Sequence, residues 1–361
     1  MLHENSEYDE SQIKKYKKQI FDKIKSEEWT YANVIGLPPY QNNPNKNFAV
    51  QAAKEWAELK LKQLALDKHK QLDWAHIFNK SEDYKLLNRI PFSEKSDEYP
   101  ISIRTYVGDE IPIVFLDVET TGLSHDTDKL IELGLVKLKY SPSLKVITSI
   151  DLVRSEYQDP GVLIPDFITE LTGVSNKDTD GKQINVNDVR SWIESDETYV
   201  IAHNAKFDRN FFNQLMPSEN YSWGCSVSQV DWKKYKEYRI ESPKLEYILL
   251  KLGYFYEGHR ASIDCLAMVQ MFITLPEALE DLLVNINKKS YRIEAIKAPF
   301  SIKDMLKGAG YRWNGEEKYW WTEVSEEQLQ DKLDELDSFS NDYSSKSSNK
   351  VELNAKNRFK A

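Results

Sequence analysis

Three polar groups interrupt otherwise apolar stretches of this 361-residue chain. The first follows a β-branched run: Ile113-Val114-Phe115-Leu116-Asp117-Val118-Glu119-Thr120-Thr121-Gly122. Alternate residues of a strand share a face, so Asp117 and Glu119 point the same way. Carboxylates at that spacing repel unless a cation sits between them, and their oxygens suit hard divalent ions. Taken alone, the pair reads as readily as a strand that ends at the surface. The second group, His203-Asn204-Ala205-Lys206-Phe207-Asp208, closes the apolar run Tyr199-Val200-Ile201-Ala202. It puts Asp208 just past a strand end, where open α/β sheets place their ligands. The third, His259-Arg260-Ala261-Ser262-Ile263-Asp264, opens a helix with a histidine ahead of an acid. Imidazole, with an ordinary pKa of about 6.5, is a base suited to neutral pH. Each residue has an unremarkable alternative: a turn histidine, a helix N-terminal acid, a helix-face carboxylate. Their joint occurrence in one order is much less expected by chance than any one of them.

The elements that must position these groups follow from periodicity. After the first strand, residues 129–139 alternate as a second strand and 146–153 as a third, so the sheet begins as a meander. Residues 164–173 read as a short helix closed by Gly173, 186–193 as another helix, and 209–215 as a third. Ser242 and Pro243 look like an N-cap and first helical position for a helix with Leu245, Ile248, Leu249 and Leu252 on one face. Helices arriving after a sheet mean an α/β domain, expected over 111–285. Residues 1–90 read as a helical N-terminal region, with Ile13, Tyr16, Ile20 and Ile24 at helical spacing, and 91–110 as a linker. Residues 288–337 form a separate small α+β module in which Tyr311, Trp313, Tyr319, Trp320 and Trp321 are interleaved with Lys and Arg around an Asn314-Gly315 turn. That composition suits either a mini-core or the tracking and stacking of nucleic acid. Residues 338–361, rich in Ser, Asn and Lys, are expected to be disordered.

The net charge is -10, while residues 1–100 balance sixteen basic against sixteen acidic side chains. The excess acid therefore lies in the remainder, which excludes binding of nucleic acid by bulk charge alone. Cys225 and Cys265 are too few for a disulfide framework. With no apolar stretch long enough to span a bilayer and a charged N-terminus, a cytoplasmic protein without membrane contact is expected.

The motif Phe115-Leu116-Asp117-Val118-Glu119-Thr120-Thr121-Gly122-Leu123, with Ala202-His203-Asn204-Ala205-Lys206-Phe207-Asp208 and His259-Arg260-Ala261-Ser262-Ile263-Asp264, resembles the DEDDh branch of the DnaQ-like 3′-to-5′ exonucleases. The resemblance covers roughly residues 111–275. It implies an RNase H-like mixed β-sheet flanked by helices, and two Mg²⁺ or Mn²⁺ ions. Asp117 would bridge both, Glu119 and Asp264 would complete one, and Asp208 would hold the other, with His259 as the base. It further implies that Thr120, Thr121, Gly122 and Leu123 meet the chain end, and that His203, Asn204 and Phe207 border the scissile phosphate. The expected activity is 3′-to-5′ exonucleolysis of DNA to nucleoside monophosphates in repair, proofreading or defence. An exoribonuclease or oligoribonuclease is the alternative, and a binding or assembly subunit the second alternative. A protein partner is expected at the N-terminal region.

Overall fold

The computed structural model describes residues 86–193, 198–217, 221–340 and 343–360. The expected N-terminal helical region lies outside the described residues up to position 85. Chain order begins with two short strands, β1 (Asn88–Arg89) and β2 (Ile101–Ser102), then β3 (Ile111–Thr120), β4 (Leu130–Ser141) and β5 (Val146–Tyr157). Helices α1 (Asp166–Thr172), α2 (Asn176–Thr179) and α3 (Val186–Ile193) precede β6 (Tyr199–Ala202), α4 (Ala205–Leu215) and β7 (Ser222–Cys225). Then follow α5 (Leu245–Leu252), β8 (Tyr254–Phe255), α6 (Ala261–Thr274) and α7 (Pro276–Asn287).

The central sheet runs β2-β5-β4-β3-β6-β7. Strands β3, β4 and β5 are antiparallel neighbours, whereas β6 and β7 join parallel to β3. The mixed sheet flanked by helices is the RNase H-like fold expected from the motifs. Both faces of β3 are buried, and the alternation of its side chains divides them between two cores. Ile113 and Phe115 pack with α5, α6 and α7, through residues such as Ile248, Phe272 and Leu282. Val114, Leu116 and Val118 pack with Val189 of α3 and Phe211 and Phe212 of α4. Asp117 and Glu119 continue the first of these faces, so they look toward α6. Helices α6 and α7 are apolar because they are buried there, and they meet at a bend of 106°. No single helix among the described residues is long and apolar enough to cross a membrane.

Three expectations are corrected. The stretch 91–110 is not a free linker: β2 pairs with β5, and Phe92, Tyr99 and Ile103 pack against the core. Helix α5 begins at Leu245 with Lys244 as its N-cap, not at Ser242. Pro243 instead holds its carbonyl to the ring of His203, which fixes the chain just before the helix. Residues 343–360 are ordered. They include β12 (Asn349–Leu353), introduced after the module's β9 (Ser290–Ile296), α8 (Lys303–Gly308), β10 (Arg312–Asn314), β11 (Tyr319–Ser325) and α9 (Leu329–Ser338).

The module's sheet runs β10-β11-β9-β12, and Ile293, Ala295, Leu306 and Leu336 form its core. A polar strand survives at the edge of this sheet because the ladder to β9 supplies its hydrogen bonds, while only Leu353 is buried. Beyond β12 the tail crosses to the central sheet. There Trp223 donates its backbone N–H to the Ala355 carbonyl at 2.8 Å, and Phe359 packs against the second core.

Candidate active site

Strand β3 delivers Asp117 and Glu119 side by side, and β4 supplies what lies opposite: Gly134 faces Asp117 and Glu132 faces Glu119. Gly134 is required by the approach of α6. A Cβ there would lie 2.2 Å from the Ala261 carbonyl carbon, so only glycine lets the helix start press onto the strand. That contact brings Asp264, in the first turn of α6, to the two strand acids. One carboxylate oxygen from each of Asp117, Glu119 and Asp264 lies within 4.8 Å of the others. Asp208 arrives from the first turn of α4 and is 2% exposed.

The electrostatics follow from crowding and burial. Burial, followed by the charges of Asp208, Asp264, Glu119 and Glu132, lifts Asp117 well above the carboxylate range. Glu119 is raised to about 8 by burial and then by Asp264, Glu132 and Asp208, with Arg260 opposing. Asp208 is raised to about 7 by burial, against backbone hydrogen bonds at Asp208, Val118 and Asn204 that favour its anion. Asp264 is raised to about 6 by burial, opposed by the hydroxyl of Tyr256 and the backbone of Arg260. Tyr256 donates to Asp264 Oδ1 at 2.9 Å and the Arg260 N–H to Oδ2 at 3.1 Å, so both oxygens of this carboxylate are oriented. A group of carboxylates with so little compensating charge must take up protons or cations. An all-oxygen anionic donor set fits hard divalent ions such as Mg²⁺ or Mn²⁺.

Glu132 was not anticipated. It is fully buried, accepts from Ser155 Oγ at 2.5 Å, and pairs with Arg260 Nε at 3.3 Å. The available signal was a lone acid inside the apolar stretch Leu130-Ile131-Glu132-Leu133. Tyr256 was missed as well, and nothing in its local sequence marks it.

His259 is exposed on the turn before α6, with φ +65°. A left-handed backbone is uncommon for a residue with a side chain, and here it turns the chain sharply into the helix. The imidazole lies close enough for its positive form to favour the Asp264 anion.

The turn after β3 is latched: Thr121 N–H bonds the Lys129 carbonyl at 2.8 Å, and Thr120 Oγ1 bonds the Gly122 carbonyl at 2.5 Å. Leu123 projects beyond it, 87% exposed. Asn204 is exposed at the start of α4, and Phe207 is half-buried against Phe211 with ring centres 4.9 Å apart. His203 behaves differently. Burial lowers its pKa to about 4, so the ring is neutral. Its Nε2 therefore donates to the Pro243 carbonyl and its Nδ1 accepts from Ser226 Oγ, each at 2.7 Å. Both ring nitrogens are thus engaged in joining β6 to the segment before α5.

Fold and site together define an RNase H-like domain with clustered carboxylates at the end of its central strand. Residues 114–272 match the sequence profile of the Exonuclease (RNase_T) family, and this part of the chain is a DnaQ-like exonuclease domain. The PolC-type DNA polymerase III of Caldanaerobacter subterraneus is 26% identical over 236 residues, covering 58% of this chain and 16% of that protein. The PolC-type DNA polymerase III of Clostridium perfringens is 32% identical over 153 residues, covering 42% and 10%. The chain thus spans less than a fifth of the length of these relatives. Among solved structures, Escherichia coli exonuclease I in complex with a dA16 oligonucleotide is 15% identical, with a TM-score of 0.40 over 52% of this chain and 49% of that one. A zinc-bound complex of the E. coli enzyme with single-stranded DNA is 14% identical, with a TM-score of 0.42 over 59% and 62%.

Proposed function

We propose that the protein is a metal-dependent 3′-to-5′ exonuclease that shortens single-stranded or frayed DNA, releasing nucleoside monophosphates. The observation that carries this reading is the convergence of Asp117, Glu119 and Asp264 within 4.8 Å, with buried Asp208 electrostatically tied to them. Asp117, Glu119, Asp208 and Asp264 would hold two divalent ions, Mg²⁺ or Mn²⁺. Such ions acidify the attacking water and offset charge on the phosphate and the departing oxygen. His259 accepts the proton of that water as its oxygen bonds to phosphorus. The bond from phosphorus to the 3′ oxygen of the penultimate nucleotide breaks, and that oxygen is protonated from solvent.

The latched turn Thr120 to Gly122 presents its backbone to the terminal sugar. Leu123 offers an exposed apolar side chain to the last base. Asn204 and Phe207 border the next phosphate, while His203 holds the frame beneath them. DNA is favoured over RNA because the relatives at 26% and 32% identity are DNA polymerases by name. The buried free thiols Cys225 and Cys265 suit a reducing compartment such as the cytoplasm.

The test is incubation with end-labelled single- and double-stranded DNA and RNA in Mg²⁺, Mn²⁺ or EDTA. A ladder that shortens from the 3′ end of DNA and disappears with EDTA is expected. Preference for RNA would replace DNA as the substrate. Persistence of full activity in Asp117→Ala or Asp208→Ala protein would refute the mechanism.

A further inference from the structure

The segment 88–94 lies outside the family match at 114–272, yet it runs alongside the turn that carries His259. Strand β1 pairs in parallel with β8: Asn88 N–H bonds the Gly253 carbonyl at 2.9 Å and Ile90 N–H bonds the Phe255 carbonyl at 3.1 Å. Ile90 is 6% exposed, in the same core against which Tyr254 and Tyr256 pack. The segment then reaches the far end of the turn. Glu94 accepts from Ser262 Oγ, and its Oε1 lies 3.7 Å from Arg260 Nη2. Arg260 is held from its other side by buried Glu132, and it donates to the Tyr157 hydroxyl at 2.9 Å.

Between these two anchorages stand Tyr256, which orients Asp264, and His259 in its left-handed backbone conformation. The exposed pair Arg89–Glu257, at 2.9 Å, adds little, because surface ion pairs are screened. The ladder, the buried Ile90 and the Glu94 carboxylate carry the contact.

We propose that residues 88–94 are a positioning element of the active site, holding the turn 254–262 at both ends so that His259 and Asp264 keep their places relative to Asp117 and Glu119. The proposal rests on the exonuclease reading for its kinetic consequence and on the fold alone for its mechanical one. Glu94 is a positioning residue, since it acts through Arg260 and Ser262 and has no direct role in the reaction.

The experiment uses the full chain with Glu94→Ala and Glu94→Gln, measuring steady-state cleavage of a single-stranded oligonucleotide and backbone hydrogen–deuterium exchange. Glu94→Ala is expected to lower kcat about 10-fold, the scale seen for outer-sphere partners of catalytic ligands, with KM changed less than about twofold, as for a loss confined to the reacting geometry. Exchange should quicken across 254–264 and stay unchanged in β3. Glu94→Gln, which keeps an acceptor for Ser262 but loses the charge facing Arg260, should retain most of the rate. Unchanged kcat and unchanged exchange at 254–264 would overturn the proposal, as would faster exchange spread evenly over the whole domain. Should the unmutated protein cleave no nucleic acid, the exonuclease reading falls, and exchange at 254–264 alone then decides the inference.

Discussion

The crowded acids make the metal-free protein sensitive to pH in an unusual direction. Asp264 is lifted from 3.8 to about 6. A group whose folded pKa exceeds its unfolded value lets the folded state hold a proton that the unfolded chain has already lost. Its stabilising contribution is complete below pH 4 and disappears as pH rises through 6. For Asp264 that change is about 3 kcal/mol, and Glu119, raised to about 8, extends the loss into mildly alkaline solution. Ordinary paired carboxylates behave in the opposite way, gaining stability as pH rises from acid.

Urea unfolding followed by tryptophan fluorescence in EDTA, from pH 5 to 8.5, isolates the effect when the chain is compared with Asp264→Asn. The variant cannot ionise at this position, so in EDTA it should be the more stable of the two at pH 8. The difference should shrink toward zero as the pH approaches 4. Mg²⁺ at saturation should reverse the order, since a ligand at about a thousand times its dissociation constant stabilises the folded state by about 4.1 kcal/mol, more than the gap. An Asp264→Asn protein that is less stable than its parent at pH 8 in EDTA, or an order unaffected by Mg²⁺, would refute the account of the site.

Replacing His259 by Ala should lower kcat by about 100-fold or more, the usual worth of a general base, while calorimetric Mn²⁺ binding persists; loss of both would make it a structural residue. Gly134→Ala should lower the urea midpoint and the activity together, at a cost of about 1–3 kcal/mol or more, because the new Cβ meets the backbone of Ala261. Arg209→Met should unfold within about 1 kcal/mol of the parent, since Nε and Nη1 of this fully buried guanidinium have no hydrogen-bond partner among the described residues. Strong destabilisation would show that the bond from Arg209 Nη2 to the Lys356 carbonyl, at 2.5 Å, outweighs the burial of charge.

Local pattern made much of this legible. The alternation before Asp117 and Glu119 located β3, and Gly253, in the left-handed conformation, marks the end of α5 as its position suggested. What escaped depends on register between distant segments. Glu132 matters because strand pairing sets it opposite Glu119, a relation no window of sequence contains. Glu94 lies 168 positions from Ser262 in a stretch whose prolines and charges suggest a loop. Residues 349–353 are too polar to announce a strand, and they become one only because β9 offers its edge. Ser242 and Pro243 have the composition of a helix start, but Lys244 is extended and serves as the cap, so the helix begins later.

The tail beyond β12 alters how the two sheets relate. Leu353 ends the module's strand, and Ala355 is already bonded to Trp223 of β7, so the chain passes from one sheet edge to the other with no slack. Arg358 pins the same crossing to the carbonyl of Lys288, at the start of the module, with its Nη2 at 2.5 Å. The module is therefore tied at both its entry and its exit, the latter to the central sheet. A pull on β12 would therefore be felt at β7, beside the strand that leads to Asp208.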